Sequence, residues 1–126
     1  MSVLVDSSVW IDYFRDERTA EIVDALIDED ELLTNDLILT ELIPALSLRR
    51  HDELVSLLRA VQRQPMSIDW QELIDMQVLC LRRGINGVGI PDLMIAQNAL
   101  QGGLRLLSSD RHFALLAQHL PLELYG

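Results

Sequence analysis

Short apolar runs separated by stretches of helical periodicity are the feature that most constrains this chain. Ser2-Val3-Leu4-Val5 stops abruptly at Asp6, as a buried parallel strand does. Residues 31–34 centre on Leu32 and Leu33, and 104–107 end at Ser108-Ser109-Asp110. Met66-Ser67-Ile68 is a weaker strand candidate, and 121–124 read as a last edge strand. The first intervening helix is expected to be capped by Ser7 or Ser8, with Val9, Trp10, Tyr13 and Phe14 on its apolar face. A second follows from Thr19. Asn35 or Asp36 caps a long helix bearing Leu37, Ile38, Glu41, Leu42, Ala45 and Leu46, which Pro44 should kink or shorten. Further helices are expected over 52–63, over 69–83 on a face of Leu73, Ile74, Val78 and Leu81, from Pro91 to about Leu100, and over 113–119. Gly84 and Gly102-Gly103 are the stop signals. Strands alternating with helices predict an α/β fold: a mostly parallel sheet of four to five short strands covered by helices on both faces. A chain of 126 residues has the size of one domain, 1–126.

Composition removes several classes. No apolar stretch approaches the roughly 20 residues of a membrane span, and the N-terminus has no basic segment of the signal-peptide kind. The single cysteine, Cys80, excludes an internal disulfide and reads as inert core. The expectation is a soluble cytoplasmic protein. Twenty acids face ten bases, all of them arginine, for a net charge of −10. Such a chain binds phosphate backbones poorly on its own. Contact with nucleic acid would need a local arginine patch, bound metal or a basic partner.

The acids themselves are placed unevenly. Asp6 and Asp110 lie just past apolar strands, where ligand sites form in open α/β sheets. Glu41 and Asp92 interrupt apolar helical faces. Taken singly, Asp6 could cap a helix, Asp92 favour a helix dipole and Asp110 serve a turn. Glu41 has no such local role. If the four meet, like charges raise their pKa values unless a cation joins them. Oxygen ligands without histidine or cysteine suit Mg²⁺ or Mn²⁺.

The ordered motifs then resemble a known family. Val5-Asp6-Ser7-Ser8-Val9-Trp10-Ile11-Asp12 is similar to the opening motif of PIN-domain nucleases, particularly VapC-type toxins of bacterial toxin–antitoxin pairs. Leu39-Thr40-Glu41-Leu42, Pro91-Asp92-Leu93-Met94-Ile95-Ala96 and Ser109-Asp110-Arg111-His112-Phe113 resemble the second, third and fourth motifs. The resemblance covers essentially the whole chain. It implies a Mg²⁺- or Mn²⁺-dependent endoribonuclease, held in check by a cognate antitoxin and usually dimeric. Asp6 and Asp92 would be direct metal ligands, with Glu41 and Asp110 completing the catalytic pocket directly or through water. Ser8 would help orient the site or a substrate phosphate. One departure is His112-Phe113-Ala114, where the family often carries another acid.

Other residues are weighed against plainer roles. Trp10, Tyr13 and Phe14, with Leu42 and Leu46, could line a groove for an antitoxin helix or simply pack the core. Arg49-Arg50 and Arg82-Arg83 are the densest basic spots, and Arg49 and Arg82 are candidates for RNA contact or solvated helix ends. His112 could touch substrate; His51 and His119 read as surface. The Gly84–Gly89 loop lacks a phosphate-binding pattern and reads as the approach to Asp92. A phospho-receiver domain would need a lysine and two adjacent acids after the first strand, and the chain has neither. A DNA-cleaving enzyme and a non-catalytic binding scaffold remain as alternatives; the full set of acids argues against the scaffold.

Overall fold

The computed structural model describes residues 2–126; Met1, the first residue of the expected 1–126 domain, lies outside the described residues. In chain order the elements are β1 (Val3–Val5), α1 (Ser7–Asp12), α2 (Glu17–Asp28), β2 (Leu32–Leu33), α3 (Asp36–Leu48) and α4 (Asp52–Ala60). They continue with α5 (Trp70–Arg82), α6 (Ile90–Gly102), β3 (Arg105–Leu107), α7 (Arg111–Ala117) and β4 (Glu123–Leu124). One sheet runs β2-β1-β3-β4, and every pairing in it is parallel. This is the α/β architecture that the alternating pattern predicts. Val3, Leu4 and Val5 are all 0% exposed. Successive strand side chains point to opposite faces, so their complete burial means that both faces of β1 are covered. Trp10, Ile38, Ile95, Leu106 and Phe113 fill the core around them. Among the described residues no helix is long and apolar enough to cross a membrane.

The topology sets where a site can form. The chain leaves β1 for β2 on one side and returns to lay β3 on the other. Such a reversal opens a crevice beyond the carboxyl ends of the strands, here between β1 and β3. The Asp6 N–H donates to the Leu107 carbonyl at 2.9 Å, carrying the strand pairing to the edge of that crevice.

Several local expectations are corrected. Neither Ser7 nor Ser8 is the N-cap of α1; Asp6 occupies that position. Pro44 does not end α3, which is capped by Asn35 Oδ1 on the Ile38 N–H at 2.8 Å and runs on to Leu48. The fourth helix ends at Ala60 rather than 63. Val61 is extended, and Thr34 exchanges backbone hydrogen bonds with Gln62 and Gln64, so β2 draws that segment into a bridge. Residues 66–68 form no strand because α6 side chains claim the carbonyls around them. Asn98 donates to Pro65 O at 3.0 Å, Gln101 to Ser67 O at 2.7 Å and Gln97 to Asp69 O at 3.0 Å. On α5 the buried face is Leu73, Met76 and Cys80, while Ile74, Val78 and Leu81 face outward beside Trp70. The last helix starts at Arg111, earlier than expected, because Asp110 caps it.

Candidate active site

Asp6 is held with more care than any other acid in the chain. It is only 4% exposed. Although it stands at the N-cap position of α1, its side chain makes no capping bond. Its Oδ2 instead accepts hydrogen bonds from Ser8 Oγ at 2.7 Å and Ser108 Oγ at 2.9 Å, while Ser7 Oγ reaches Oδ1 only at 3.5 Å. Each of the two close hydroxyls accepts a backbone N–H in turn: Ser109 N donates to Ser8 Oγ and Asp110 N to Ser108 Oγ, both at 3.0 Å. A hydroxyl has one proton to give, and these contacts direct it to Asp6. The loop after β3 thereby clamps the acid that ends β1.

The other acids arrive from three helices. Asp110 is the N-cap of α7, with Oδ1 accepting the His112 N–H at 2.9 Å. Asp92 lies in the first turn of α6, and Glu41 in the second turn of α3, which packs on α1 and α6. Burial pushes the Asp92 carboxyl above its ordinary range, and the charge on Asp110 and then Asp6 adds to this; the Gly89 backbone N–H and His112 oppose it. Glu41 is likewise raised by desolvation and then by the charges on Asp6 and Asp92, against a lowering hydrogen bond from Ser7. Like charges act this way only at close range. The fold therefore couples the charge of Glu41 to Asp6 and Asp92, and that of Asp92 to Asp110 and Asp6; among the described residues only Asp92, Asp110 and His112 gather three donor atoms within 4.8 Å of one another. It does not bury them all: Asp92 and Asp110 are half-buried and Glu41 is exposed. Of the four, only Asp6 is buried.

The donor set fits a divalent cation. No arginine lies in ion-pair range of these carboxylates among the described residues, so nothing in the cleft balances them except His112. Donor atoms of Asp92, Asp110 and His112 lie within 4.8 Å of one another. His112 Nδ1 stands 3.1 Å from Asp110 Oδ1, yet it is buried and makes no aligned hydrogen bond. Hard carboxylate oxygens with raised pKa values are what Mg²⁺ or Mn²⁺ relieves. Ser108 was not legible as a site feature, and only its position directly after a strand, mirroring Ser7 and Ser8, hinted at it; His112 was legible only as a possible substrate contact.

The remaining candidates separate. Trp10, Phe14, Leu42 and Leu46 line one groove of about 240 Å³, together with Glu41 and Arg49. Trp10 is also core at 1% exposed, whereas Phe14 is 55% exposed and stacks on His51, so core packing does not explain it. Tyr13 lines a neighbouring cavity and donates to Asp24 at 2.6 Å. Arg82 is exposed at the end of α5, with no described contact to the acids.

A parallel four-stranded sheet with acids at its switch point defines the class: a small α/β domain with an acidic site beyond the carboxyl ends of its strands. Comparison identifies which one: the family model for the PIN domain matches residues 3–118, and the chain belongs to that family, whose members are generally nucleases. No curated protein matches the chain. Among solved structures it is similar to a chain of FitAcB from Neisseria gonorrhoeae, at 18% identity and TM-score 0.73, covering 98% of this chain and 96% of that one. It is also similar to a chain of VapBC2 from Rickettsia felis bound to a DNA fragment from their promoter, at 14% identity and TM-score 0.77, covering 99% and 98%.

Proposed function

We propose that this chain is a single-domain, cytoplasmic endoribonuclease that depends on Mg²⁺ or Mn²⁺ and acts as the toxin of a toxin–antitoxin pair. The observation that supports the reading is the charge coupling that links Glu41 and Asp92 to Asp6 and Asp92 to Asp110, with Asp6 and Asp110 just past β1 and β3, in a chain of the PIN family. These four carboxylates would hold the cation. When bound, it lowers the pKa of a water to make a nucleophile and neutralises charge on the scissile phosphate. Ser8 and Ser108 fix Oδ2 of Asp6 and leave Oδ1 with only a long Ser7 contact, so one oxygen is oriented and the other available. Exposure of Glu41 leaves the cleft open to a chain-like substrate.

Arg49, which lines the same groove as Glu41, and Arg82 are proposed to contact the RNA backbone. The groove of Trp10, Phe14, Leu42 and Leu46, with Tyr13 at its margin, is the proposed seat of an antitoxin helix whose basic residue reaches the acids. The structural likeness to FitAcB and VapBC2, both toxin–antitoxin complexes, supports such a partner. Trp70, Ile74, Val78 and Leu81 make an exposed apolar stripe along α5 suited to a homodimer contact.

The test is cleavage by the purified chain. Structured RNA should be cut with Mg²⁺ or Mn²⁺, remain intact in EDTA, and be cut at least about tenfold faster than DNA of the same sequence, the 2′-hydroxyl being what separates the two substrates. Cleavage that persists in EDTA sinks the metal-dependent reading. Preference for DNA would overturn the ribonuclease assignment and favour the DNA-cleaving alternative.

A further inference from the structure

The acidic cleft is not chemically uniform. Its Asp6 side is built from oxygen donors alone, with serine hydroxyls around the carboxylate. Its other side carries an imidazole. His112 sits in the first turn of α7, and one of its ring nitrogens lies within 4.8 Å of carboxylate oxygens of both Asp92 and Asp110. Two ligands on one ion stand at most about 4.2 Å apart when each bond is near 2.1 Å. A small side-chain rotation therefore brings all three donors onto one cation.

The ring is also placed rather than merely present. Gly87, at φ +82°, lies against it, and a Cβ there would come 3.2 Å from His112 Nε2. The backbone N–H of His112 is fixed on Asp110 Oδ1, which ties the ring's anchor to the neighbouring carboxylate. Its buried Nδ1 has no aligned hydrogen-bond partner in the protein. Its close neighbour is Asp110 Oδ1, 3.1 Å away but out of line for a hydrogen bond, and a buried nitrogen whose hydrogen bond is not made costs free energy that a bound ion would relieve.

Resting on the proposed cation site, we infer that His112 is itself a ligand of that cation, giving a nitrogen–oxygen donor set with Asp92 and Asp110. A nitrogen donor changes which ion the site prefers. Imidazole binds Mg²⁺ poorly and binds later first-row divalent ions increasingly well. The site should then favour Mn²⁺ over Mg²⁺, a selectivity that carboxylates alone would not impose.

The experiment reads ligation directly, without activity. Mn²⁺ alone is added to the purified chain, and electron spin-echo modulation is recorded to detect ¹⁴N bonded to the ion. The wild type should show imidazole coupling that His112→Ala abolishes and that His51→Ala and His119→Ala keep. In calorimetric titrations, His112→Ala should weaken Mn²⁺ binding about tenfold or more and Mg²⁺ binding by less than about threefold. Bound Mn²⁺ without nitrogen coupling in the wild type overturns the assignment of His112 and leaves the carboxylate site standing. Coupling that survives in His112→Ala also overturns it. Absence of any Mn²⁺ binding overturns both this inference and the cation site on which it rests.

Discussion

Asp6 and Glu41 address the same cleft from opposite structural circumstances. Asp6 ends the most buried strand, is 4% exposed, and has Oδ2 fixed by two serine hydroxyls that are themselves held by backbone N–H groups. Glu41 stands exposed on α3, with Ser7 as the hydrogen bond that acts on its carboxyl. One acid is positioned by the fold; the other is positioned mainly by what it meets. A pre-organised group pays its ordering cost during folding, so its loss should fall on catalysis in full. An adjustable group can be replaced in part by its neighbours or by water.

The comparison yields graded expectations. Asp6→Asn should lower cleavage by more than about a hundredfold, the scale of losing one fixed electrostatic group in an active site, and Glu41→Gln by only about tenfold. Equal losses in kinetic assays of the two variants would break the distinction. Next comes the clamp. Ser108→Ala removes a hydroxyl that donates to Asp6 and receives the Asp110 N–H, so it should cost about tenfold in cation affinity by calorimetry. Unchanged affinity would show that Asp6 needs no such support.

The smallest effect is a pH dependence of stability. Glu41 and Asp92 have raised carboxyl pKa values, so each destabilises the cation-free fold above its folded-state pKa and stops doing so as pH falls through it. From these two groups, the chain in EDTA should gain stability as pH falls through the raised folded-state carboxyl range towards the ordinary one. Protons and cation compete for the same oxygens. The extra melting temperature conferred by Mn²⁺ should therefore shrink over that window. A metal-induced shift that stays constant with pH would contradict the coupling.

How far the sequence revealed this depended on the range of each interaction. The strand before Asp6, the strand before Asp110 and the proline-led turn at Asp92 are local patterns, and the fold places them as read. The Asn35 cap and the Gly84 stop are local too. The Ser108–Asp6 contact spans 102 residues and depends on the register that sets Val5 beside Leu107. No local pattern encodes that register. The strand expected at 66–68 failed because side chains of α6, some thirty residues on, took the Ser67 carbonyl and that of Pro65 just before it. The buried face of α5 could not be chosen, since Met76 and Cys80 on one side and Ile74 and Val78 on the other are all apolar. Glu41 looked buried for a related reason: Leu42 beside it is core, whereas the groove at Glu41 itself is open.

The central claim, that the four carboxylates make one divalent-cation site, is tested most directly by titrating Mn²⁺ into the purified chain and into Asp92→Asn at neutral pH, with circular dichroism to verify the fold of the variant. The account predicts saturable binding in the wild type and a loss of at least about tenfold in the folded variant. Equal binding by the two proteins would contradict it.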